Sequence, residues 1–234
     1  MLKTNLILLP GLDGTGQLFS PFIKTLPLHL SPQVVSYPAN KFLDHDALVE
    51  FVKEKVSVNE PFALLAESFS GPVALKLAAA KPRNLIALIL CATFVCNPLA
   101  FPSSVVASWF SRLFFSFQLP GPLVRYFLIG TDAPQELAEQ FQQAIQAVAP
   151  DVLAGRLKSL VNVDVRDELR DCEKPILYLQ ARRDKLVSKK CLQEILLLKP
   201  NLENVTIDAP HLVLQREPER AVKAIEEFLQ KQTP

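Results

Sequence analysis

Three segments far apart in the chain carry side chains that can act on one another: Ala66 to Ser70 around Ser68, Ala181 to Val187 around Asp184, and Asp208 to Leu212 around His211. A serine hydroxyl is a weak nucleophile at neutral pH. It becomes effective when an imidazole takes its proton and a carboxylate holds that imidazole in the right tautomer. The chemistry such a trio performs is acyl transfer from an ester or thioester through a covalent acyl-serine.

Ser68 is the only serine with a small residue two places to either side, Ala66 and Ser70. Such a pattern arises by chance about once in a chain of this length, and a serine capping a helix is the competing reading. Its position argues for chemistry. Phe62 to Ala66 reads as a strand and Gly71 to Ala80 as a helix, so Ser68 falls on a sharp strand-to-helix turn. There the crowded backbone demands small neighbours and the hydroxyl is presented at the sheet edge.

Of the three histidines, His29 and His45 lie in early loops or at a helix start, whereas His211 stands between the last strand and the last helix. Asp184 follows the penultimate strand. Asp208 is too close to His211 along the chain, and Asp164, Asp167 and Asp171 precede that strand. The order serine, acid, histidine is one in which such trios are built. The bland alternatives are a loop histidine with local hydrogen bonds and an Asp184 paired with Arg182 or Lys185.

A tetrahedral intermediate also needs N–H donors aimed at its oxyanion. The Gly-containing loop Pro10 to Gly16 follows the first strand, and the expected donors are the backbone amides of Leu12 and Phe69. GLDGTG departs from the GxGxxG spacing and no acidic residue closes the second strand, which argues against a dinucleotide cradle.

These residues need a frame. Short apolar runs at Asn5 to Leu9, Val34 to Tyr37, Phe62 to Ala66, Leu85 to Cys91, Ile176 to Gln180 and Asn204 to Ile207 read as buried strands. Amphipathic stretches of helical length lie between them: Gln17 to Leu26, Asp46 to Val56, Gly71 to Ala80, Lys189 to Leu198 and Glu219 to Lys231. Alternation of this kind predicts an α/β fold, a mainly parallel sheet flanked by helices, with ligands gathering at the strands' C-terminal ends. Residues 97–169 break the pattern with helical periodicity alone and are expected to form a helical cap inserted into a core of 1–96 and 170–234. Trp109, Phe110, Leu113 and Phe114 share one helical face there. They are expected to line an acyl-binding surface, against the plainer reading of cap-to-core packing.

Composition narrows the class. With 49% hydrophobic and 21% charged residues the chain has material for one ordinary core, and its net charge of +1 gives no global attraction to nucleic acid. The four cysteines form no CxxC pair and have no histidine at ligand spacing, so no metal or cofactor is expected. No apolar stretch is long enough to cross a membrane. The opening residues lack a signal-peptide pattern, and the expectation is a cytoplasmic protein.

LLPGLDGTG, AESFSG, ARRDKLV and PHL, spread over nearly the whole chain, resemble the motifs of the α/β-hydrolase superfamily. The likeness is to its small capped members, the group of the pimeloyl-carrier-protein methyl ester esterases. LPGLDGTG also looks like the opening of certain plastid esterases and acyltransferases. The resemblance implies a carboxylic ester hydrolase with a shortened sheet of about six strands and triad Ser68, Asp184 and His211, requiring no metal. Its substrate would be a small acyl ester, with an acyl carrier protein as a candidate partner. Arg112, Arg125, Arg156, Lys158 and Arg166 of the cap would meet such an acidic carrier, unless they are simply a solvated face. Acyltransferase or lyase chemistry on the same scaffold is the alternative, and a non-catalytic binding module a further one. Two departures stand out: AESFS replaces both glycines of GxSxG, and the histidine of the usual HG motif is missing.

Overall fold

Apolar runs too short for helices of several turns become strands, the central ones here buried on both faces. In the computed structural model, which describes residues 3–56, 60–98 and 121–232, these are β1 (Thr4–Leu9), β2 (Leu30–Val34), β3 (Phe62–Glu67), β4 (Leu85–Cys91), β5 (Ile176–Ala181) and β6 (Glu203–Ile207). They form one sheet in the order β2-β1-β3-β4-β5-β6 with every pairing parallel. Side chains alternate along each strand, so the sheet has two dry faces.

Ile7, Leu9, Leu64 and Leu88 face one side, against α2 (His45–Lys55), α3 (Gly71–Ala79) and α8 (Lys189–Leu198). Leu6, Leu8, Leu65 and Ile89 face the other, against α1 (Ser20–Thr25) and α10 (Pro218–Gln232). Within α10, Ala221, Val222, Ile225, Phe228 and Leu229 recur at helical spacing and are all buried.

One strand differs from the sequence reading. The run expected at Val34 to Tyr37 is not the second strand; Leu30–Val34 is, with Leu6 opposite Pro32. Proline argues against a central strand because it has no N–H for the ladder. β2 is the sheet's edge, where a missing outward donor costs nothing. Val35 and Tyr37 are buried all the same, because the chain stays tied beyond the strand: Val35 N–H donates to Leu8 O at 3.0 Å and Tyr37 N–H to Gly14 O at 2.7 Å.

Between β4 and β5 the described chain is helical: α4 (Gly121–Val124), a π-helical turn at Arg125–Ile129, α5 (Gln135–Gln146), α6 (Pro150–Ser159) and α7 (Arg166–Asp171). Chain exit and return are neighbours, since Cys96 bridges Asp164 and Val165 N–H donates to Val95 O at 2.7 Å. Leu137 and Phe141 of α5 cluster with Leu18 and Leu212, which sets these helices beside the loops leaving β1 and β6. A short helix, α9 (Val213–Arg216), precedes α10. Among the described residues, no helix is long and apolar enough to cross a membrane.

Candidate active site

Strand β3 ends at Glu67 and the chain turns at once through a single 3-10 turn, Ser68–Ser70, into α3. Ser68 takes φ of +49°, the left-handed region that a side chain adopts only under constraint. The constraint is visible. Thr93, in the loop after β4, gives its hydroxyl hydrogen to Ser68 O, and a Cβ on Gly71 would fall 2.0 Å from Thr93 Oγ1. Gly71 is therefore the glycine this elbow needs, while Ala66 and Ser70 are both completely buried.

The loops after β5 and β6 run side by side. Arg182 N–H donates to Ile207 O at 2.8 Å and Arg183 N–H to Ala209 O at 2.9 Å, which brings Asp184 next to His211. His211 Nδ1 lies 2.8 Å from Asp184 Oδ2, and His211 Nε2 lies 2.8 Å from Ser68 Oγ. The other carboxylate oxygen, Asp184 Oδ1, accepts the N–H groups of Leu186 at 2.8 Å and Val187 at 2.9 Å. Both side chains are nearly dry, His211 at 3% and Asp184 at 6% exposure. The salt-bridge alternative for Asp184 has no support among the described contacts: Lys185 sits over the Tyr126 ring, and the ion-pair partner of Asp184 there is His211 rather than Arg182 or Lys185.

This arrangement can move a proton from hydroxyl to imidazole while the aspartate holds the ring. Burial, the largest influence on His211, pushes its pKa down. The Asp184 charge, its hydrogen bond and the Glu67 charge together outweigh that, so the net direction is upward. His45 shows the opposite balance. Buried against the Phe69 ring at 4.7 Å, it is pushed down to about 4, chiefly by burial, and stays neutral.

Glu67, which sequence reasoning left aside, is 2% exposed and accepts from Gln215 Nε2 at 3.3 Å. Burial raises its pKa to about 7, with His211 and Gln215 pulling down and Asp13 pushing up. Because the Glu67 anion raises the pKa of His211, Glu67→Gln is expected to shift the acid limb of the kcat/KM profile to lower pH. An acid limb that stays put in the variant would show that this carboxyl does not tune the imidazole.

Leu12 lies in the loop after β1, and Phe69 directly follows Ser68 in the elbow. Among the described residues, no acceptor takes the Leu12 N–H. A hydroxyl relay joins loop and elbow: Tyr37 Oη lies 2.6 Å from Ser70 Oγ, and Ser70 donates to Pro10 O. The serine standing where GxSxG has glycine is thus a hydrogen-bonding residue. Its departure from the usual pattern was the only signal available in the sequence.

Trp109, Phe110, Leu113 and Phe114 lie outside the described residues, as does Arg112. Arg156 is not on the surface as expected but 1% exposed, its guanidinium turned inward onto backbone carbonyls. Arg125 donates to Ala133 O and Gln135, and Arg166 pairs with Asp164 and Glu194, while Lys158 is exposed.

A family model described as serine aminopeptidase, S33 (Hydrolase_4), matches residues 38–197, more than half of the chain. The chain belongs to this α/β-hydrolase family. Among curated proteins, this α/β-hydrolase is 26% identical over 218 residues to a pimeloyl-[acyl-carrier protein] methyl ester esterase of Xanthomonas oryzae pv. oryzae, covering 86% of this chain and 85% of that protein. Among solved structures it resembles a hydrolase from Oleispira antarctica, with a TM-score of 0.81 at 16% identity, covering 97% of this chain and 91% of that one. A thermophilic esterase from Thermogutta terrifontis gives 0.78 at 22% identity, covering 100% and 92%.

Proposed function

We propose that this α/β-hydrolase is a serine esterase working through an acyl-enzyme on Ser68. The observation that carries the reading is the unbroken line from Ser68 Oγ to His211 Nε2 and from His211 Nδ1 to Asp184 Oδ2, each step 2.8 Å. Ser68 Oγ bonds to the acyl carbon as its proton passes to His211 Nε2, and the carbonyl oxygen becomes an oxyanion received by the Leu12 and Phe69 N–H groups. The ester C–O bond then breaks, and His211 returns that proton to the departing alkoxide. Water repeats the sequence on the acyl-serine: its proton goes to His211, its oxygen joins the acyl carbon, and Ser68 leaves with the proton.

The substrate we propose is a small carboxylic ester, and the name of the Xanthomonas relative makes a methyl ester on a carrier-linked acyl chain the first specific case to try. Of the cap cations expected to meet such an acidic carrier, Arg156 is buried, Arg125 and Arg166 already have partners, and Lys158 is exposed.

The test is a fluorophosphonate probe beside p-nitrophenyl esters from acetate to palmitate. Labelling at Ser68 with steady ester turnover is the expected result. Transfer of the acyl group to an added alcohol in preference to water would redirect the reading to an acyltransferase. Neither labelling nor turnover would leave a binding module.

A further inference from the structure

A buried guanidinium is destabilising unless its donors find acceptors, and the usual partner is a carboxylate. Arg156 of α6 is 1% exposed, yet among the described residues its guanidinium donates to backbone carbonyls: Leu12 O at 3.0 Å, Asp13 O at 2.6 Å and Pro38 O at 3.0 Å. The Asp13 carboxylate is turned to Thr15 N–H at 2.8 Å. An arginine bound this way fixes the direction of peptide groups.

Two of the peptide groups it holds follow directly on the one that matters for an oxyanion. The Leu12 N–H belongs to the Gly11–Leu12 peptide, whose own carbonyl accepts Gly14 N–H at 3.0 Å. On one side of it, Pro10 O is held by Ser70; on the other, Leu12 O is held by Arg156. The two clamps are neighbours: the Arg156 guanidinium carbon lies over the Tyr37 ring, 5.7 Å from its centre, and the Tyr37 hydroxyl meets Ser70. Gly14 makes room for the cation: at φ +69° its Cβ would come 2.4 Å from Arg156 Nη1.

We infer that Arg156 is a positioning residue of the oxyanion hole, holding the Leu12 N–H in its working direction from a helix inserted between β4 and β5. The inference rests on the esterase reading, with Leu12 as a donor. It supplies the loop scaffolding that the missing HG histidine leaves open, and it makes the inserted helices part of the catalytic geometry.

The test uses Arg156→Lys and Arg156→Ala with p-nitrophenyl acetate, a substrate too small to depend on a long acyl surface. A lysine keeps the charge but loses the fork, and the expected loss in kcat is about tenfold to hundredfold with KM within threefold, below the effect of deleting a donor outright. Arg156→Ala is expected to lose more, and guanidinium chloride at non-denaturing concentration to restore part of kcat, which a purely structural role would not produce. Melting curves report the folded fraction in each sample. The inference is overturned by a folded Arg156→Lys with kcat within threefold of the parent, by losses equal to the unfolded fraction, or by failure of both variants to fold. A parent protein with no ester turnover and no Ser68 labelling is a different outcome, and sinks the esterase reading itself.

Discussion

Ser68→Ala is expected to reduce kcat/KM for an activated ester by at least about three orders of magnitude, because the proposed nucleophile, base and orienting acid would act as one unit and loss of the first would idle the others. The variant should fold normally. Alanine is smaller than serine, removes only the 2.8 Å contact to His211 Nε2, and leaves the Thr93 contact with the residue 68 carbonyl in place. Parent and variant with superimposable melting curves but a collapsed turnover would carry the reading. Turnover within tenfold of the parent would move the reaction to another group.

Asp184→Asn is the second large effect, with an expected loss of about 10³- to 10⁴-fold. The direction follows from the two backbone donors. Leu186 and Val187 N–H groups demand an oxygen at the position of Asp184 Oδ1, so an asparagine must set its NH2 toward His211. That NH2 donates to Nδ1, which forces the ring proton onto Nε2, the atom that has to accept from Ser68. The folded protein would hold the wrong tautomer. Losing the carboxylate charge also removes the main upward pull on the His211 pKa, so residual activity should persist to lower pH than in the parent. Kinetics across a pH series check both points, and an asparagine variant with near-parental turnover would show that Asp184 does not orient the ring.

The sheet was legible because parallel strands buried on both faces are written as uninterrupted apolar runs, and β4 begins and ends where its run does. β2 was not, because Pro32 breaks the run and an edge strand tolerates it. The trio Ser68, Asp184 and His211 could be singled out from residue type, loop position and chain order, and the three stand in hydrogen-bonding contact. What holds the neighbouring loop could not. Arg156 sits in an amphipathic helix where an arginine ordinarily points to water, and only the fold reveals that its stem turns inward toward Leu12 and Asp13. The Tyr37–Ser70–Pro10 relay and the Glu67–Gln215 contact escaped for a similar reason: each joins residues far apart in the chain that only the fold brings together.

The left-handed backbone at Ser68 sets two selection pressures against each other. Glycine adopts that conformation freely, whereas a side chain there loses about 1–2 kcal/mol. With Ser68 as the proposed nucleophile, a directed-evolution campaign scored on heat resistance alone would therefore favour glycine at position 68 and drift toward a sturdier, silent molecule. A screen that also demands turnover would hold the serine and have to find its gains elsewhere in the fold.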